Sequence, residues 1–183
     1  MDFTSSVGGA GAAPAPSDRI FTPLEKTAQR ALGIALPRIH ANVGWERYNK
    51  PVQKSLDSRP EDFVVAESED RIVGYVVTHQ EDAESYHVDY IATESAEDPV
   101  TGGKRKGVGL GLMMATIGKV RGFAAASLTL NFRGNPGLKK FYSRVGEEGE
   151  KRGLLSGTII EDTGTKFLNA DPRWRATYLL LKP

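Results

Sequence analysis

The chain has 183 residues, room for a single domain at about 100–200 residues each, and its 39% hydrophobic and 26% charged residues exclude a generally disordered chain. It contains no cysteine, which removes disulfides, thiolate zinc sites and a cysteine nucleophile at once. The net charge of +1 hides a segregation: residues 61–98 carry twelve acidic groups and one basic group, whereas residues 99–145 carry nine basic groups and no acidic one. Two explanations fit such a split: a bipolar site that takes an anion on one side and a cation on the other, or two solvated faces that pair across the fold. The three histidines, His40, His79 and His87, show no His-x-x-x-His spacing, so no metal site is expected. No apolar run approaches the ~18 residues of a spanning helix, so no membrane segment is expected either.

In chain order, the first 17 residues hold twelve Gly, Ala, Pro or Ser. Such a segment buries too little apolar area to offset its ordering entropy, so residues 1–18 are expected as a disordered tail and residues 19–183 as one domain. The tail lacks the charge and apolar core of a secretory signal, and a cytoplasmic location is expected. Leu24, Ala28 and Ala31 recur at helical spacing and predict a helix over 23–32, stopped by Gly33. A second helix is predicted over 45–56, kinked near Pro51. Residues 63–68 and 71–78 read as β-branched strands around a Glu69-Asp70 turn. Residues 86–93 read as a third strand, with Tyr86, Val88, Tyr90 and Ala92 on one face and His87, Asp89, Ile91 and Thr93 on the other.

An acidic loop over 94–103 leads into a helix over 107–123. Met113, Ile117, Val120 and Ala124 form its apolar stripe. Gly111, Ala115, Gly118 and Gly122 form a second stripe of small residues. Each interior glycine costs ~1 kcal/mol against alanine, so this stripe predicts the close approach of a backbone or a ligand. A strand over 126–132, a short helix over 135–145 with Pro136 in its first turn, and a strand over 175–182 complete the reading. The expected class is α/β (α+β), a mixed central β-sheet flanked by helices on both faces.

The sharpest local signal is Lys104-Arg105-Lys106-Gly107-Val108-Gly109-Leu110-Gly111 between strand and helix. Glycines let successive amides point to one place, the helix start adds a positive dipole end, and three basic side chains add charge. These are the makings of a pyrophosphate cradle, although an exposed basic loop before a helix has the same composition. The run lacks the Gly-Lys-Ser/Thr ending of a P-loop, and Leu112 stands where a dinucleotide fingerprint needs its third glycine.

The order of elements, with a basic Gly-x-Gly loop followed by Asn135, Tyr142 and Gly146 at spacings of seven and four, resembles the GNAT superfamily of N-acetyltransferases over residues 20–183. Lys104 stands where that family usually has Arg or Gln, Glu147 replaces an aromatic, and the loop before Lys104 is several residues longer. The resemblance implies the acyl-CoA N-acyltransferase fold. It also implies acetyl-CoA as cofactor and acetyl transfer to an amine, and members are often homodimers. With no cysteine present, direct attack of the amine on the thioester is the economical route.

On that reading, residues 105–111 hold the pyrophosphate, with charge from Lys104, Arg105 and Lys106. Ile91, Ala92 and Thr93 pair with the pantetheine arm, unless they are ordinary ladder residues. Tyr142 protonates the leaving thiolate, or is a buried helix aromatic. Asn135 binds the cofactor, or caps its helix. A lysine-like amine is mostly protonated at pH 7, at a cost of about 4.6 kcal/mol, so a base is needed. Asp89, His87 or Glu94 could serve, or each could be an exposed polar residue. Nucleic acid is a poor partner, because the acidic block repels phosphate. A non-catalytic acyl-CoA-binding module and an acyltransferase for another acyl group are the remaining alternatives.

Overall fold

The computed structural model describes residues 19–41, 45–94, 107–162 and 174–183. The predicted tail, the acidic loop over 95–103 and Lys104, Arg105 and Lys106 lie outside the described residues. The elements are β1 (Ile20–Pro23), a 3-10 turn (Lys26–Ala28), α1 (Gln29–Ile39), α2 (Trp45–Ser58), β2 (Phe63–Ser68), β3 (Arg71–Gln80) and β4 (Ser85–Thr93). They continue with α3 (Val108–Arg121), β5 (Ser127–Arg133), α4 (Pro136–Lys151), β6 (Leu155–Asp162) and β7 (Trp174–Leu181).

The strands form one sheet in the order β1-β2-β3-β4-β5-β7-β6. Pairing is antiparallel except between β4 and β5, which run parallel and are bridged in sequence by α3. The β2–β3 hairpin turns on Glu69 and Asp70 at φ of 53° and 56°, the double left-handed geometry that suits the twist of a two-residue loop. Period-two alternation divides the core between the two faces. Phe63, Val65, Tyr75 and Val77 face α1 and α2 with Leu32, Leu36, Val52 and Leu56. Val64, Ala66 and Val76 face α3 and α4 with Leu112, Met113, Ile117 and Val145. This is the mixed sheet with helices on both faces expected from the sequence. No helix among the described residues is long and apolar enough to cross a membrane.

Several elements differ from expectation. Residues 20–23 form an edge strand instead of leading into a helix at 23, and α1 runs on through Gly33 to Ile39. The fourth helix extends six residues further than predicted, and β6 follows where no strand was expected. Gly146 and Gly149 lie inside α4, and β6 packs onto them. A Cβ on Gly146 would sit 2.3 Å from Thr158, and one on Gly149 2.5 Å from Leu155. The small-residue stripe of α3 also has a different cause. A Cβ on Gly111 would stand 2.2 Å from the ring of Phe21 on β1, so a side chain fills that notch, and Gly118 has nothing within 4 Å. Ala124 lies beyond α3 at φ 58° and is exposed.

Candidate active site

The strand β4 carries the decisive irregularity. Val77 pairs with Tyr90 but Thr78 pairs with Val88, so Asp89 is an extra residue on β4. A bulge of this kind reverses the alternation beyond it. Tyr86, Val88 and Ile91 therefore pack on the α3 side, while Tyr90 and Ala92 join the α1/α2 core. The predicted grouping of His87, Asp89, Ile91 and Thr93 on one face is thus broken. His87 and Asp89 meet His79 and Arg59 on one side, whereas Thr93 lies beside Leu112 of α3 over Gly74.

Next to the bulge the sheet opens. The β4–β5 ladder runs only from Ser85↔Ser127 to Val88↔Leu130, although β4 continues to Thr93 and β5 to Arg133. The Glu94 amide donates to the Val73 carbonyl at 2.7 Å, and the Ala92 carbonyl points at Gly74 of β3. Backbone groups alternate in direction along a strand, so those of Ile91 and Thr93 face the opening, and those of Ala92 are spent on β3.

The start of α3 lies on the same side of the sheet. Gly107 adopts φ 90°, which glycine takes without steric cost, and among the described residues no side chain caps the helix. The first helical bond runs from the Gly111 amide to the Gly107 carbonyl at 2.9 Å. Among the described residues the amides of Val108, Gly109 and Leu110 have no acceptor, and Gly111 drops out of the predicted cradle. Gly109 keeps the approach narrow, since a Cβ there would already touch the Phe141 ring at 3.4 Å. Three amides without an acceptor among the described residues, a left-handed glycine and a helix dipole fit a pyrophosphate group.

The first turns of α4 tie these two features together. Asn135 is its N-cap, with Oδ1 accepting from the Gly137 amide at 2.7 Å and the Leu138 amide at 3.3 Å. Of the two roles open in the sequence, the cap is the one this geometry displays. Phe141 leans on Gly109 of α3. Tyr142 packs at a tilt with its ring 4.9 Å from that of Phe132, a residue of β5 beyond its last pair with β4. Tyr142 is buried, and burial pushes its hydroxyl up to about 12.

On the opposite side stands a cluster of titratable groups. The ring of His79 lies 5.5 Å from that of His87. His79 Nδ1 is 2.8 Å from Asp89 Oδ1, and Arg59 lies 3.9 Å from Asp89 Oδ2 and 3.1 Å from Asp62. His87 Nδ1 is 2.8 Å from Thr129 Oγ1, which donates to Glu81 Oε2 at 3.1 Å. Burial lowers the His87 pKa below the usual histidine value, against the opposing pull of Glu81 and Asp89. His79, Glu81 and Thr129 were missed in the sequence. The one available signal for His79 was its register with His87 across the β3–β4 hairpin.

Glu94 is not part of this cluster. Its carboxylate is buried between Arg38 of α1 at 3.1 Å and Arg71 of β3 at 3.5 Å, while Arg38 also donates to the Ile72 carbonyl at 2.6 Å. It fastens α1 to the sheet. Among the described residues no group of acidic and histidine side chains is arranged to hold a metal ion.

No family model matches the sequence, and no curated protein matches it. Solved structures do match the fold. Ard1 from Thermoplasma volcanium superposes with a TM-score of 0.61 at 17% identity, covering 90% of this chain and 99% of its own. The diaminobutyrate acetyltransferase EctA from Paenibacillus lautus, in complex with its substrate and coenzyme A, gives 0.61 at 10% identity, covering 91% and 96%. A putative acetyltransferase of the GNAT family from Desulfovibrio desulfuricans gives 0.56 at 16% identity, covering 90% and 99%. At such identities these likenesses establish the fold, which is that of the GNAT acetyltransferases.

Proposed function

We propose that the protein is an N-acetyltransferase that passes the acetyl group of acetyl-CoA directly to a primary amine on a cationic small molecule or peptide. The carrying observation is the opening between β4 and β5, flanked on one side by the first amides of α3, which have no acceptor among the described residues, and walled by Tyr142. Acetyl-CoA would supply an acetyl thioester on a long arm that ends in a pyrophosphate. The amides of Val108, Gly109 and Leu110 hold the pyrophosphate, and Lys104, Arg105 and Lys106 add charge from outside the described residues. Ile91 and Thr93 offer backbone groups to the extended arm, and their amides polarise the thioester carbonyl.

Tyr142 supplies the hydrogen bond to sulfur. With its pKa at about 12 it stays protonated throughout the working range. Complete proton transfer to a thiolate of pKa ~8.5 is uphill by about 5 kcal/mol, so the phenol acts as a donor that the thiolate leans on while solvent completes the transfer. The acceptor amine approaches from the other side, where Asp89, His87 and their neighbours can take its proton.

The test is thiol release from acetyl-CoA with a panel of amines, in parallel with calorimetry of acetyl-CoA and a longer acyl-CoA. Amine-dependent release supports the proposal. Binding without release by any amine points to a non-catalytic acyl-CoA-binding module, and preference for the longer acyl-CoA to a different acyl donor. No binding of either refutes the cofactor assignment.

A further inference from the structure

The sheet face opposite α3 holds an arrangement that selects one base among the titratable residues. Three elements converge on it: Glu81 after β3, His87 on β4 and Thr129 on β5. We propose that His87 takes the proton from the acceptor ammonium, held in its working tautomer by Thr129 and Glu81. This rests on the acetyltransferase reading and deepens it.

The tautomer follows from counting protons. Thr129 has one hydroxyl proton and three candidate acceptors in reach, the Glu81 carboxylate at 3.1 Å, the Tyr86 carbonyl at 3.3 Å and, were it unprotonated, His87 Nδ1 at 2.8 Å. The carboxylate is the only charged acceptor of the three and takes it. The Thr129 oxygen then has only lone pairs for His87, so His87 Nδ1 at 2.8 Å must carry the hydrogen. The lone pair therefore sits on Nε2. Glu81 Oε1, 3.7 Å from Nδ1, stabilises the positive charge that arrives with a second proton.

Position agrees with chemistry. His87↔Thr129 is the pair next to Val88↔Leu130, where the ladder ends and the opening begins. A thioester held from the α3 side leaves the His87 side for the amine. His87 Nε2 takes one proton from the ammonium, the freed lone pair bonds to the acetyl carbon, and the second nitrogen proton passes to solvent. The carbon–sulfur bond breaks, and the thiolate leaves on the hydrogen bond from Tyr142 to be protonated by water. The competing carboxylates are occupied: Asp89 by His79 and Arg59, Glu94 by Arg38 and Arg71. His79 stands on β3, one strand further from the opening.

The groups that set the titration of His87 are Glu81 beyond β3, Asp89 on its own strand and His79 on β3. Arg59 and Asp62 act through Asp89, and Tyr178 on β7 lies level with Thr129. Burial lowers its pKa, with Glu81 and Asp89 opposing, so His87 is neutral at pH 7 and loses its function as pH falls.

Two measurements decide the matter. The first is the pH profile of kcat/KM, by thiol release, for wild type, His87→Gln, Glu81→Gln, Thr129→Val and Thr129→Ser, each checked for folding by circular dichroism. His87→Gln should lose ~10²-fold at pH 7 together with the acidic limb. Glu81→Gln should move that limb to lower pH, because the carboxylate that favours the imidazolium is gone. Thr129→Val should lower the plateau, and Thr129→Ser should keep it. The second is nitrogen NMR of histidine-labelled protein, which should show His87 protonated at Nδ1 in wild type and a mixture of tautomers in Thr129→Val. A wild-type profile in His87→Gln, or an Nε2-protonated His87, overturns the assignment while leaving the transferase reading standing. The expected tautomer with no thiol release for any amine overturns the transferase reading, and the base role falls with it.

Discussion

Tyr142 shows how far one side chain can be argued from its surroundings. Its spacing from Asn135 and Gly146 singled it out, but the spacing could not separate a proton donor from a core aromatic. In the structure the ring is packed against Phe132 and Phe141 and burial keeps the hydroxyl protonated, which is compatible with the proposed hydrogen bond to sulfur as well as with packing. Tyr142→Phe retains the packed ring and removes the donor. The expected result is a fall in kcat of ~10²-fold with little change in acetyl-CoA Kd, read by steady-state kinetics and calorimetry. A near-normal kcat would leave Tyr142 a packing residue. Other single residues were less legible. A one-residue bulge leaves no mark in a strand's composition, so Asp89 and His87 were correctly placed together while Ile91 and Thr93 were assigned to the wrong face. Glu94 looked like a free carboxylate because Arg38 and Arg71, 56 and 23 positions away, meet it only in the fold.

At the scale of the element, α3 carries both the binding hypothesis and a packing one, and glycines separate them. Gly109→Glu would put a side chain and a like charge into the mouth of the three amides. The folded variant should lose measurable acetyl-CoA binding by calorimetry, and unchanged affinity would remove the cradle from the argument. Gly118→Ala meets nothing within 4 Å and replaces a costly residue in a helix, so it should add ~0.5–1 kcal/mol and raise Tm by about 2–4 °C. Gly111→Ala makes the same exchange, but its Cβ displaces the ring of Phe21 and loosens β1. It should melt below wild type. Two equal helix gains would mean that Phe21 yields freely. The same contacts explain the legibility of the elements. The central strands announce themselves, β2 and β3 by their β-branched runs and β4 and β5 by apolar–polar alternation. The edge strands β1 and β6 do not, because one is four residues long and the other opens on Leu155-Ser156-Gly157-Thr158. The predicted helix ended at 145, whereas α4 runs on through Gly146 and Gly149, whose reason to be small lies on β6, which had not been foreseen.

At the scale of the molecule, the charge split between residues 61–98 and 99–145 takes a definite form. The basic block includes the approach to α3 and the whole of α4's first turns, on the side proposed for acetyl-CoA. The acidic block supplies β2 to β4, and its exposed carboxylates at Glu61, Asp82 and Glu84 lie on the segments flanking His79 and His87. If these carboxylates draw in the acceptor, a substrate with positive charge beyond its reacting nitrogen is favoured, and acidic amino acids are not. Attraction between exposed charges is screened once the Debye length drops below ~10 Å, near 0.1 M salt. The kcat/KM of a dicationic amine should therefore fall with salt more steeply than that of a monoamine of equal length. A triple variant, Glu61→Gln with Asp82→Asn and Glu84→Gln, leaves Glu81 and His87 in place and should bring the two slopes together. The measurement is kcat/KM for both amines at low and high salt in both proteins. Equal slopes in the wild type, or an acidic acceptor preferred over either amine, would make the acidic block a solvated face that only balances the charge of its neighbour.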